Sequence, residues 1–225
     1  MNVSRDVSLP TEPVEPAVAF AESLELLRSI AKGQLDRHRL VRIYTPTPTL
    51  ALSRWESRQP GFQKAATSAR AQGFDPAIRP TGGRAAAYDE SCLIFDLVVA
   101  ERAVLDPRPF FEETSSRIAG VLRDFGVDAR VGPVEGEYCP GEFSINARGE
   151  VKLVGTSQRA VPGARLLSGV LPLGGVEQLV PVLTSANESL GLRWDESSFG
   201  SVATEAQGFE RADIAAALAT ALRGA

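Results

Sequence analysis

The chain has 225 residues, of which 44% are hydrophobic and 23% charged, ordinary values for a soluble globular protein with one substantial core. No apolar run approaches the ~20 residues of a membrane helix, and the opening MNVSRDVSLPTEPVEP lacks the apolar centre of a secretory signal, so a cytoplasmic protein is expected. Two cysteines make no disulfide framework, and no metal-ligand spacing occurs.

Residues 1–15 are rich in Pro, Ser and Glu and read as a loosely attached arm, with one folded domain over 16–225. Pro16 suits the first turn of a helix running to Lys32, with Phe20, Leu24, Leu27 and Ala31 on one face and Gly33 as its stop. Leu40–Tyr44 and Leu50–Arg54 read as strands around a Pro46–Pro48 loop, and a helix follows over Gly61–Gln72. Ala77 and Ile78 lead as strand into RPTGGRAAAYD (Arg79–Asp89). The run CLIFDLVVA (Cys92–Ala100) predicts a buried strand, which makes Cys92 a structural thiol.

Pro109 opens a helix to Phe125, with Phe110, Thr114, Ile118, Val121, Leu122 and Phe125 along one face. A short strand follows over Val127–Val131. Phe143–Gln158 then reads as a hairpin with Asn146–Gly149 as its turn. Ala164–Leu173 is a further strand. Val176–Leu190 has helical spacing, in which Pro181 predicts a break. Phe209–Leu222 closes the chain as a helix with Ile214, Leu218 and Leu222 inward. This irregular alternation favours a single α+β domain with a mixed sheet over a doubly wound one.

Charge is uneven. Arg28–Arg84 carries 11 Lys/Arg against three acids, while the whole chain is −4. Either a basic face docks an acidic partner, or the arginines scatter over several faces.

Chemistry concentrates in two stretches. In EYCPGEFSINARGEVKLVGTSQR (Glu137–Arg159), Cys139 lies in a polar loop and Lys152 early in the second strand of the hairpin. A hairpin folds that strand back, which brings the ammonium near the thiol and favours the nucleophilic thiolate. A lone cysteine is more often a small buried hydrophobe; the polar loop offsets this, and residue types leave the two readings level. In RPTGGR, Gly82–Gly83 lets backbone approach a ligand, with Arg84 placed for a carboxylate or phosphate. A plain tight turn is the alternative, since neither standard nucleotide-binding pattern is present. His38, between Arg37 and Arg39, reads as a surface residue, with a Cys–His dyad as the alternative.

Together these stretches resemble the lipoate–protein ligases and octanoyl/lipoyl transferases, relatives of the biotin–protein ligases, over about residues 17–190. LVRIYTPTPTLALSRWES is similar to the family's opening strands around a Pro-rich turn, and IRPTGGRAAAYD resembles its RRPTGGRAVxHD loop. EVKLVGTSQR resembles its RKxxGSAQR strand, with Lys152 on the family's lysine. Cys139 stands where one transferase subgroup carries a cysteine. Departures are Tyr88 for the family's histidine, Ile78 before Arg79, Ser53 before Arg54, and Pro140–Gly141 where an aromatic follows the cysteine.

The resemblance implies a largely antiparallel sheet flanked by helices, with an acyl tail in a tunnel beneath the glycine loop. It implies Cys139 and Lys152 as catalytic residues, with Arg79, Thr81, Gly82, Gly83, Arg84, Tyr88, Gly155 and Thr156 around the substrate. The activity it implies moves an octanoyl or lipoyl group from an acyl carrier thioester to a lysine of a lipoyl-domain protein, with no cofactor, nucleic acid or membrane. A Cys139 acyl-enzyme would be the intermediate, with Lys152 depressing the thiol pKa and N–H groups around Gly155 or Gly83 holding the oxyanion. The rival readings are a ligase using ATP and Mg through an acyl-adenylate, and a non-catalytic binder of an acyl ligand.

Overall fold

The computed structural model describes residues 12–35, 38–101 and 106–224. Its first half runs α1 (Pro16–Ala31), β1 (Arg39–Tyr44), β2 (Thr49–Leu52), a short 3-10 turn (Glu56–Arg58), α2 (Phe62–Ala71), β3 (Asp75–Ile78), β4 (Ala86–Tyr88) and β5 (Cys92–Glu101). The second half runs α3 (Arg108–Asp124), β6 (Ala129–Val131), β7 (Ile145–Ala147), β8 (Val151–Val161), β9 (Gly163–Pro172), α4 (Val176–Ser189), a second 3-10 turn (Glu196–Ser198), α5 (Val202–Glu205) and α6 (Arg211–Arg223).

Six strands pair antiparallel in the order β1-β5-β9-β8-β7-β6. A second sheet, β3-β2-β4, is parallel between β2 and β3 and antiparallel between β2 and β4. β5 is apolar at nearly every position because both its faces are covered. Leu93, Phe95 and Leu97 pack with Ile118, Leu122, Ile214 and Leu218 of α3 and α6. Cys92 and Ile94 pack on the opposite side with residues of the small sheet, α2 and α4. Val98 meets Leu27 and Ile30 of α1. The fold is thus α+β, with a mostly antiparallel sheet flanked by helices.

Three local expectations are corrected. The buried face of α1 is Ala19, Ser23, Leu27 and Ile30, one step around from the expected stripe, so Phe20 and Leu24 are left at a groove wall. α4 runs unbroken through Pro181. The missing N–H removes one helical bond, but Leu179, Val182, Leu183 and Ala186 on both sides of the proline are buried and hold the helix on the core. The hairpin turn lies one residue later than expected: Arg148 (φ 59°) and Gly149 (φ 84°) are its centre, and the Glu150 amide donates to the Ala147 carbonyl. Residues 148–150 connect the paired Ala147 and Val151, and this register sets Lys152 opposite Asn146.

Of the expected arm, residues 1–11 lie outside the described residues; Val14 makes an isolated bridge with Pro46. No helix among the described residues is long and apolar enough to cross a membrane.

Candidate active site

Cys139 lies in the loop between β6 and β7, which is organised by a buried carboxylate. Glu137 accepts the amides of Val134 (3.3 Å) and Gly141 (3.1 Å) and the Ser144 hydroxyl (2.7 Å). It also pairs with the Lys152 ammonium at 2.7 Å, both side chains being at most 3% exposed. Lys152 Nζ donates in addition to the Cys139 carbonyl at 2.5 Å and lies 4.8 Å over the Tyr138 ring. The hairpin therefore brings residues 139 and 152 together as expected, but through main chain. The ammonium is matched to Glu137 because a buried charge needs a partner.

Facing this loop is the glycine loop. Arg79 donates to the carbonyls of Gly82 (2.7 and 3.0 Å), Arg84 (2.6 Å) and Ala51 (2.6 Å). Its guanidinium is thus the internal staple of the loop, anchored to β2. Glu56, fully buried, accepts the Ala85 amide (2.7 Å) and both the amide (2.7 Å) and hydroxyl (2.8 Å) of Ser53. The Ser157 hydroxyl donates to Thr81 Oγ1 at 2.7 Å. Gly83 has φ +88°, and a Cβ there would stand 3.3 Å from the Cys139 sulfur. The outcome is one contact across the two loops: the Arg84 amide donates to Cys139 Sγ at 3.2 Å.

Beneath the glycine loop is a cavity of about 630 Å³, its mouth and adjoining open space included. Arg79, Thr81, Gly82, Gly83, Arg84, Tyr88, Cys139, Gly155 and Thr156 all line it, so nine of the ten expected site residues converge here. The tenth, Lys152, stands just behind the wall: a Cβ on Gly155 would be 3.2 Å from its Cε and 3.6 Å from its Nζ.

Strand register makes the floor two parallel rows. Gly155, Val170, Ile94 and Tyr44 stand side by side across β8, β9, β5 and β1. Alongside them run Ser157, Ser168, Asp96 and Arg42. Three interstrand spacings make each row about 14 Å long. The first row ends at Tyr44, whose ring lies 4.4 Å beneath the Arg42 guanidinium. Arg42 is held by Asp96 (3.1 Å), the Ala19 carbonyl (2.8 Å) and Glu22. Asp96 also accepts the hydroxyls of Ser23 (2.7 Å) and Ser168 (2.5 Å).

Tyr88 is buried on the cavity wall, and no described residue hydrogen-bonds its hydroxyl. Burial holds that phenol well above its ordinary range, so it stays a neutral donor at physiological pH. Cys92 is fully buried, and burial pushes its thiol up to about 12, as suits a structural thiol. His38 is exposed.

Glu56 and Glu137 are the site residues that sequence reasoning missed. Nothing in the strings SRWES and EGEYCP separates a buried carboxylate from a solvated one, except that Glu137 stands two residues before the cysteine.

No protein-family model matches the chain. Among curated proteins, an octanoyl-[GcvH]:protein N-octanoyltransferase of an Exiguobacterium species is 31% identical over 128 residues, 57% of this chain and 45% of that one. The protein of the same name from Geobacillus kaustophilus is 25% identical over 182 residues, 80% of this chain and 63% of its own. Among solved structures, lipoate-protein ligase A bound with ATP superposes with a TM-score of 0.69 at 19% identity, covering 94% of this chain and 81% of that one. The chain has the fold of the lipoate-protein ligases. It spans about half the length of the curated relatives it matches. Within this fold, the glycine loop and the loop cysteine surround one cavity, with the β8 lysine directly behind its wall.

Proposed function

We propose that this chain is an acyltransferase that moves an octanoyl or lipoyl group from a carrier thioester to a lysine amine of a lipoyl-domain protein, through a thioester on Cys139. The observation that supports it best is the Arg84 amide on the Cys139 sulfur at the mouth of a cavity floored by an apolar row. The names of its sequence relatives point to the same acyl group, moved from the carrier GcvH to a protein.

In this reading the Cys139 sulfur attacks the donor's carbonyl carbon. The tetrahedral adduct collapses and expels the carrier thiolate, leaving the acyl group on sulfur. The acceptor amine then attacks the same carbon; the Cys139 thiolate leaves and takes up the proton that the amine loses. The acyl chain lies along Gly155, Val170 and Ile94. Lys152 acts as a positioning residue: it fixes the Cys139 main chain through its carbonyl. The Arg84 amide donates to the sulfur, where negative charge sits before attack and returns when the sulfur leaves. The thioester donor already carries the activation, so the route needs neither nucleotide nor metal and suits the cytoplasm.

The test is intact mass after incubation with an octanoyl thioester. The expected result is a gain of one octanoyl group, released by hydroxylamine and absent in Cys139→Ala. Labelling of a lipoyl domain by Cys139→Ala with ATP and free octanoate would overturn the thioester route in favour of an adenylate.

A further inference from the structure

On the outer side of the glycine loop lies a second, wider concavity that shares Gly82, Gly83, Arg84 and Cys139 with the inner cavity. It is therefore the solvent approach to the thiol. With its open space included it measures about 1600 Å³, against about 630 Å³ for the inner cavity. Phe20 and Leu24 of α1 form one wall, and Trp55 and Ile78 another. Trp55 is 60% exposed and Ile78 50%, although a single core of this size has room for both.

The charge of the groove is as distinctive as its apolar surface. Arg54, Arg84 and Arg159 line it beside the inward-bonded Arg79, and among the described residues no Asp or Glu does, on a chain whose net charge is −4. None of the three has an ion pair with a described residue. Exposed tryptophan beside unpaired arginine is the composition of a protein-docking hot spot. The basic stretch read from sequence spreads over several faces: Arg42 turns inward, Arg70 is exposed on α2, and Arg54, Arg79 and Arg84 line the groove.

We propose that this groove is the docking face for an acidic protein domain that presents the acyl-accepting lysine. The apolar wall formed by Trp55 and Ile78 takes an apolar spot on that domain, and the arginines take the carboxylates around it. The lysine arm then enters between the glycine loop and Pro140 to reach Cys139. This inference rests on the acyl-transfer reading for the identity of the partner. It does not rest on it for the surface.

The test is direct binding of an unmodified lipoyl domain to the full chain by calorimetry, with Arg54→Glu, Trp55→Ala and the control Arg70→Glu on the exposed side of α2. The first two are expected to weaken binding at least tenfold and Arg70→Glu less than twofold. Binding is also expected to weaken as salt rises, and Arg54→Glu to flatten that dependence. In parallel, Cys139 acylation by a small octanoyl thioester is measured in every protein. Acylation that proceeds while Arg54→Glu and Trp55→Ala bind the domain normally overturns the docking face and spares the chemistry. Domain binding that follows the expected pattern without any Cys139 acylation overturns the chemistry and spares the docking face. Preferential binding of an RNA oligonucleotide at the same arginines overturns the protein partner.

Discussion

The Lys152 ammonium lies 2.7 Å from the Glu137 carboxylate and donates to the carbonyl, not the sulfur, of Cys139. The pair joins β8 to the loop that carries the thiol, and both charges are out of water. Removing one partner strands the other. Lys152→Met alone is expected to destabilise by about 3–5 kcal/mol, whereas Lys152→Met with Glu137→Gln costs clearly less than the sum of the two single changes. Urea unfolding of the two single variants and the double variant measures this. Strict additivity would show that the two groups do not act on each other.

Glu56 does for the glycine loop what Glu137 does for the cysteine loop. It ties Ala85, the residue after Arg84, to the end of β2. Glu56→Ala leaves two buried amides without their acceptor, a loss of about 1–3 kcal/mol for each. The expected signature is a drop in the rate of Cys139 acylation by a small thioester, partly restored in Glu56→Gln, which keeps an acceptor oxygen. Equal rates in Glu56→Ala and the unaltered chain at a temperature where both are folded would remove Glu56 from the site.

How much of this was legible beforehand follows from what each residue depends on. Long apolar runs such as CLIFDLVVA declare a doubly covered strand by local pattern alone, and the hairpin implied that residues 139 and 152 approach each other. Pairing of charges is a property of the packed fold. Arg79 read as a substrate residue, and in the fold it lines the cavity while also stapling the glycine loop; Glu137 read as nothing and is the counterion of Lys152. The two-row floor was hidden for another reason. Its members come from four strands far apart in sequence, and only the register aligns them. Pro181 misled because helix propensity is local, whereas the burial of Leu179 and Val182 is not.

The two thiols should separate cleanly. Cys139 is partly exposed at the cavity mouth, whereas Cys92 is fully buried, with burial raising its thiol from the ordinary 9.0 to about 12. A native thiol titration at pH 8 should count one reactive group, lost in Cys139→Ala, and a titration in denaturant should count two. The folded state holds the Cys92 proton more tightly than the unfolded one. The contribution from this group is therefore fully present below pH 9 and is lost as pH rises from 9 to about 12. Cys92→Ser should not show that part of the alkaline fall in stability.

Gly83 is where backbone conformation and chemistry meet. Its φ of +88° is one that side chains rarely adopt, and an added Cβ would crowd the sulfur at 3.3 Å. Gly83→Ala is expected to cost about 1–2 kcal/mol in backbone strain. It should also slow acylation of Cys139 by small thioesters well beyond what the stability loss explains. Unchanged acylation kinetics in a folded Gly83→Ala protein would show that the donor carbonyl reaches the sulfur from elsewhere.

The far end of the apolar row sets a limit on acyl length. Tyr44 closes it from the edge strand β1, and its ring cannot swing away because Arg42 lies over it, pinned in turn by Asp96 and the Ala19 carbonyl. A chain that outgrows the row would have to displace that ring or desolvate an ion pair. Tyr44→Ala is therefore expected to move the preferred donor from eight carbons towards ten or twelve. Tyr44→Phe, which keeps the ring, should leave the length preference where it is. Ile94→Phe fills the middle of the row and should move the preference the other way, towards six carbons. Competition among mixed acyl thioesters, read as the mass of the Cys139 adduct, measures all three at once. The row would lose its role if Tyr44→Ala and Ile94→Phe both kept the profile of the unaltered chain, because then the acyl group would not lie along Val170 and Ile94 at all.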